Sequence, residues 1–269
     1  MRIKRSNIDY WYEIYGEGET IVLLHGFTGS TDTWSHYLQQ YQSTFKIILI
    51  DLPGHGKTVT GSPITMEQCC EDIHAILAEN QVETFHLVGY SMGGRIALTY
   101  AMLYQHQLQS LVLESASPGL ELVEEREERI KQDELLATKI EQEGLELFID
   151  YWENIPLFTS QKQLQPSIQE RIRKERLSQT EEGLALSLRS MGTGSQPSWW
   201  AKLSNLNTPV LLLVGELDQK FVAINKRMQK RLQNSTLKII SNTGHAIHVE
   251  QTEIFGKMVE EFILEVSNT

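Results

Sequence analysis

The run Phe85-His86-Leu87-Val88 passes directly into Gly89-Tyr90-Ser91-Met92-Gly93, and that into Gly94-Arg95-Ile96-Ala97-Leu98. The first run reads as a short buried strand and the last as the start of a helix. The chain must therefore change direction within a few residues. A strand–sharp turn–helix of this kind holds its central serine in a strained conformation with the hydroxyl exposed. Gly89 and Gly93 leave space where side chains would collide with the turn. Serine is also common as an ordinary helix N-cap, so the pentapeptide alone leaves the role of Ser91 open.

The rest of the chain supplies the context. Apolar runs at 10–15, 20–24, 45–50, 85–88, 109–114, 210–214 and 237–240 read as strands. Helical patterns lie around 64–80, 93–106, 222–232 and 251–266. Continuous apolar strands alternating with helices predict an α/β architecture: a mostly parallel central sheet with helices on both faces. Residues 118–203 break this rhythm. They carry no convincing strand, are rich in Glu, Gln, Leu and Arg at helical spacing, and contain an aromatic-rich patch of Phe148, Trp152, Leu157 and Phe158. The expected organisation is a core in two parts, 1–117 and 204–269, with 118–203 inserted as a helical lid. Ligands of open sheets bind beyond the carboxyl ends of the strands, where this insertion begins. Plain surface helices are the simpler alternative for the segment.

Composition narrows the class. A formal net charge of −11 over 269 residues argues against nonspecific nucleic-acid binding and against attraction to anionic membrane surfaces. It leaves room for a locally basic pocket. No apolar stretch is long enough to span a membrane, and Met1-Arg2-Ile3-Lys4-Arg5 does not start a signal segment. The two cysteines, Cys69 and Cys70, are adjacent and make a poor disulfide framework. A reducing, cytoplasmic setting is expected. Oligomeric state is left undetermined.

Two further residues join Ser91. Asp218, in Gly215-Glu216-Leu217-Asp218, follows a strand and can accept a hydrogen bond that orients a histidine. Glu216 is its rival, and an Asx turn or helix cap is the plain alternative. His245, in Thr243-Gly244-His245, follows the last strand, with His248 as competitor. Leu24-His25-Gly26-Phe27-Thr28-Gly29 follows a strand, as an oxyanion-hole loop should, and offers the Phe27 N–H to pair with that of Met92. Such donors act electrostatically, each worth roughly 3 kcal/mol at the transition state of a hydrolase. His25, His55 and His248 lack the His-Glu-x-x-His spacing of a metal site. No metal or cofactor is expected.

The segments Leu24–Phe27, Asp51-Leu52-Pro53-Gly54-His55-Gly56, Gly89–Gly94, Asp218 and Gly244-His245 resemble the α/β-hydrolase superfamily along essentially the whole chain. The serine–acid–histidine order agrees. A narrower likeness is carried by Gly89–Arg95, Leu113–Leu120, Trp152–Phe158, Arg176–Gln179 and Gly244–Glu250. These are similar to the menaquinone-pathway synthase family that makes 2-succinyl-6-hydroxy-2,4-cyclohexadiene-1-carboxylate.

That resemblance implies a lyase that eliminates pyruvate from 2-succinyl-5-enolpyruvyl-6-hydroxy-3-cyclohexene-1-carboxylate. Ser91 would be the immediate base, activated by His245 and Asp218. A small substrate with several carboxylates implies arginine partners. Arg95, Arg129 and Arg176 are the implied ones, with Arg126 and Arg173 as neighbouring alternatives. Tyr90 and Trp152 are further candidates at the substrate. The competing reading is a serine hydrolase acting on a small carboxylate-bearing ester or a carbon–carbon bond, with Ser91 as covalent nucleophile.

Overall fold

The computed structural model describes residues 1–5 and 7–268. An N-terminal ribbon, β1 (Arg2–Arg5) and β2 (Ile8–Tyr15), leads to β3 (Thr20–Leu24), α1 (Ser35–Tyr41), β4 (Lys46–Ile50) and the short β5 (Val59–Thr60). Next come α2 (Met66–Glu79), β6 (Phe85–Tyr90), α3 (Met92–Tyr104) and β7 (Leu108–Glu114). Four helices follow without a strand: α4 (Val123–Glu143), α5 (Leu145–Glu153), α6 (Pro166–Leu177) and α7 (Glu181–Met191). The chain then completes the sheet with β8 (Val210–Gly215), α8 (Gln219–Gln229), β9 (Ser235–Ile240), α9 (Ile247–Glu250) and α10 (Thr252–Ser267).

Among the described residues the strands run in the order β1-β2-β4-β3-β6-β7-β8-β9, with β5 beside β2. Pairings from β4 to β9 are parallel, and those of β2 are antiparallel. After β3 the chain pairs first to one side, as β4, and then to the other, as β6. The loops leaving β3 and β6 therefore diverge, and a crevice opens at the strands' carboxyl ends. Ser91 and Phe27 lie on these two loops.

Alternation along β3 shows how the sheet holds both helix layers. Val22 and Leu24 join the core formed with α2, α3 and α8, where Cys69, Ile73, Ile96 and Met228 are buried. Ile21 and Leu23 face the opposite core, with Trp34, Phe255, Val259 and Ile263 from the α1 and α10 side. A strand covered on both faces reads as an unbroken apolar run for this reason. Cys69 and Cys70 lie fully buried as free thiols within α2, and burial pushes the Cys69 thiol up to about 12.

The α4–α7 insertion forms a cap with a core of its own, built from Ala137, Ile140, Phe148, Ile149, Leu184 and Leu188, with Phe27 of the main domain packed against it. No helix among the described residues is long and apolar enough to cross a membrane.

Candidate active site

Ser91 has φ 50° and ψ −105° and stands at the N-cap of α3, but its side chain makes no cap hydrogen bond. Its N–H instead donates to the carbonyl of Glu114 at 2.8 Å. The hydroxyl is thus left for other partners, and positive φ at a non-glycine residue is backbone strain that the surrounding structure must hold. The flanking glycines make the turn possible. A Cβ at Gly89 would lie 2.5 Å from the Gly93 carbonyl, and one at Gly93 would lie 2.2 Å from that of Leu24.

His245 approaches from the loop after β9. Its Nε2 is 2.9 Å from Ser91 Oγ and its Nδ1 is 2.6 Å from Asp218 Oδ2. Both His245 and Asp218 are buried. An Nδ1 proton given to Asp218 leaves Nε2 as an acceptor for the serine hydroxyl. Asp218 also caps α8, accepting from the Phe221 N–H at 3.3 Å through its other oxygen, so the plain alternative and the functional one coexist in one side chain. Glu216 accepts instead from the Asn242 N–H at 3.0 Å. His248 bonds Glu114, with its Nδ1 2.9 Å from each carboxylate oxygen.

His25 shapes the loop after β3. Its Nε2 accepts from the Leu52 N–H at 3.0 Å, which leaves Nδ1 as the donor to the Gly26 carbonyl at 2.8 Å. Burial, and then the neighbouring His55, hold this imidazole neutral, with its pKa lowered to about 3. Phe27 and Met92 both border the cavity at Ser91. Met92 is the first residue of α3, where a backbone N–H has no intrahelical acceptor.

This cavity has a volume of about 600 Å³ and touches Ser91 and His245. Arg95 and Arg129 line it, as does Trp152. Arg95 donates to the Met191 carbonyl at 2.9 Å, and lost hydration with the nearby Arg129 charge lowers its pKa to about 10, still protonated near neutrality. Arg129 Nε donates to Asp133 Oδ1 at 2.8 Å. Trp152 packs edge-on to Phe27 with ring centroids 5.4 Å apart. Tyr90, kept a neutral phenol by burial, borders this cavity and a second one of about 330 Å³.

Arg176 is placed differently from Arg95 and Arg129. It lines the second cavity, on the far side of Tyr90 and Phe158, with Nη1 3.4 Å from Glu153 and its guanidinium 4.7 Å from the Phe158 ring centre. Lys220 and Arg227 of α8 line the first cavity and were not among the sequence candidates. Arg227 is ion-paired with Glu121. Their only signal was position: α8 begins directly after Asp218 and borders the same cavity from Lys220 in its first turn to Arg227 in its last.

The family described as alpha/beta hydrolase fold matches residues 19–252. A Bacillus subtilis (strain 168) protein, provisionally named as a 2-succinyl-6-hydroxy-2,4-cyclohexadiene-1-carboxylate synthase, is 44% identical over 95% of both chains. The synthase of that name from Yersinia pseudotuberculosis serotype O:1b (strain IP 31758) is 31% identical, over 93% of this chain and 89% of its own. Among solved structures, that of MenH from S. aureus superposes with a TM-score of 0.92 at 37% identity, covering 95% of this chain and 98% of that one.

Proposed function

The chain belongs to the 2-succinyl-6-hydroxy-2,4-cyclohexadiene-1-carboxylate synthases of the α/β-hydrolase fold, and from that premise we propose how its own residues carry out the reaction. The enzyme is a carbon–oxygen lyase. It eliminates pyruvate from 2-succinyl-5-enolpyruvyl-6-hydroxy-3-cyclohexene-1-carboxylate and leaves the conjugated cyclohexadiene.

The observation that carries the residue assignment is the aligned Ser91–His245–Asp218 relay opening into a cavity that also holds Arg95 and Arg129. His245 draws the proton from Ser91 Oγ, and Ser91 Oγ takes the ring proton alpha to the succinyl carbonyl. Asp218 fixes the tautomer and balances the imidazolium that forms. Negative charge grows on the succinyl carbonyl oxygen, toward which the N–H groups of Phe27 and Met92 are assigned as donors. The electron pair then moves through the ring, and the bond from ring carbon to the enolpyruvyl oxygen breaks. The His245 imidazolium returns its proton to the departing oxygen, and the enol so formed tautomerises to pyruvate.

The guanidiniums bind and orient. A substrate with several carboxylates suits a cavity whose cations are held by hydrogen bonds to the protein. Arg95 is braced by a main-chain carbonyl, and Arg129 by the buried Asp133. Trp152 supplies an apolar wall, and Tyr90 a phenol beside the elbow. Arg176 is assigned to the substrate's far end, in the second cavity, which shares Tyr90 and Phe158 with the first.

Purified protein with freshly generated substrate tests this. Pyruvate and the diene absorbance should appear in equal amounts, and Ser91→Ala should lower kcat by about 10³-fold or more while the protein stays folded. Folded wild-type protein that does not outpace spontaneous decay would sink the lyase reading. Accumulation of an acyl-enzyme on an ester would favour the hydrolase instead.

A further inference from the structure

We propose that Glu114 is a positioning residue that sets the approach of His245 to Ser91. Glu114 ends β7 and is fully buried. Its main-chain carbonyl accepts the Ser91 N–H at 2.8 Å. Its carboxylate accepts the His248 main-chain N–H at 3.0 Å and the His248 Nδ1–H at 2.9 Å. One residue therefore holds the nucleophile's turn through its backbone and the histidine's loop through its side chain. His248 lies three residues beyond His245, at the start of α9.

The elimination itself gives Glu114 no chemical task, since Asp218 already orients His245. A leucine would fill the same place at the end of an apolar strand. Burying a carboxylate instead is costly unless each oxygen finds a donor, and here both oxygens do. The partner ring is fixed as well. His248 packs between Tyr90, at a centroid distance of 4.4 Å, and Trp34, at 5.0 Å. Neither end of the link can swing without disturbing the core. The Ser91–His245 distance thus depends on a buried strut from the sheet, in addition to the Asp218 bond. A displacement of about 1 Å at a reacting pair can lower the rate by about 100-fold.

The kinetic part of the test rests on the lyase reading, so a second measurement stands apart from it. In unliganded protein, the Nδ1 proton of His245, held 2.6 Å from donor to acceptor against Asp218, is expected to give a far-downfield proton resonance that reports the ring's position without substrate. Glu114→Leu is expected to weaken or shift this resonance and to lower kcat by about 100-fold with KM changed less than about twofold. Glu114→Gln keeps an oxygen that accepts from His248 and should recover most of both. The pair Glu114→Leu with His248→Phe removes the unmatched polar groups of the two side chains together. It should regain part of the unfolding midpoint, the main-chain N–H at 248 still lacking its acceptor, while kcat stays low and the resonance stays displaced.

Recovery of kcat along with stability in that pair would overturn the proposal, because the role would then be packing alone. A folded Glu114→Leu with an unmoved resonance would overturn it too. If Glu114→Leu does not fold, the paired variant decides by the same two criteria. If the wild-type protein fails to release pyruvate, the lyase reading falls, and the resonance alone decides for Glu114.

Discussion

Ser91, His245 and Asp218 illustrate how far single residues can be read from a sequence. Gly-x-Ser-x-Gly fixes a backbone shape, and the backbone shape leaves the hydroxyl uncapped. Asp218 and His245 follow strand ends, where the sheet brings loops together. Arg95 was legible because it lies one turn past Ser91, on a helix whose start was fixed. Which cavity Arg176 would line was not legible, since a cap helix can rotate by one residue and change which cavity a side chain enters. Glu114 had a signal that went unused as a site: a carboxylate closing a strand of apolar residues needs a buried partner. At this scale Arg95→Ala is expected to raise KM by about 10- to 100-fold, the worth of a charge-assisted hydrogen bond or two. Steady-state kinetics on the multi-carboxylate substrate would check it. An unchanged KM would remove Arg95 from substrate binding.

The central strands β3, β4, β6 and β8 were legible as elements because each is buried on both faces and leaves a nearly unbroken apolar run, whereas β2 and β9 are only partly covered. The element α1 was not anticipated. Its Ser-His-Tyr-Leu-Gln-Gln-Tyr sequence spans under two turns and shows little periodicity, and it is held by Tyr37 and Tyr41 packed beneath α10. The two-residue β5 is too short to signal itself. The cap was legible as a strand-free insertion, but its link to the histidine loop was not. Ser160, in a 3₁₀ turn of the cap, donates to Glu250 Oε1 at 2.9 Å, while Glu250 Oε2 accepts the Gly244 N–H at 2.7 Å. Ser160→Ala is expected to destabilise the protein by about 1–2 kcal/mol, as removal of a bond to a partly buried carboxylate should. Because Gly244 keeps its bond, kcat should hardly move. Urea unfolding together with turnover would check both, and a large fall in kcat without loss of stability would contradict the assignment.

For the whole molecule, buried ionisable groups below the cavity set an acid limit. Burial lowers His25 from 6.5 to about 3 and His55 from 6.5 to about 4, and raises Asp51 from 3.8 to about 6. Stability from the two histidines is fully present above 6.5 and is lost as pH falls toward their folded values. Asp51 has the opposite sign: its burial cost is felt above about 6 and is relieved as pH falls toward 3.8. Between about pH 6 and pH 4 the unfolded chain holds two histidine protons and the folded chain one aspartic proton. Unfolding then takes up about one proton from these three groups, and stability should fall by ~1.4 kcal/mol per pH unit on acidification. Urea unfolding across that range measures the slope directly. A flat profile would mean that these groups do not have the surroundings described.

The burial of Cys69 and Cys70 has a practical consequence. Thiol reagents attack the thiolate, and the Cys69 thiolate is suppressed by a pKa of about 12 while both sulfurs lie sealed within α2. The folded protein therefore presents a chemically quiet background. A cysteine introduced on an exposed face of α4 would be the fast-reacting thiol of the chain, and a dye placed there would report the cap's movements without first removing the native sulfurs.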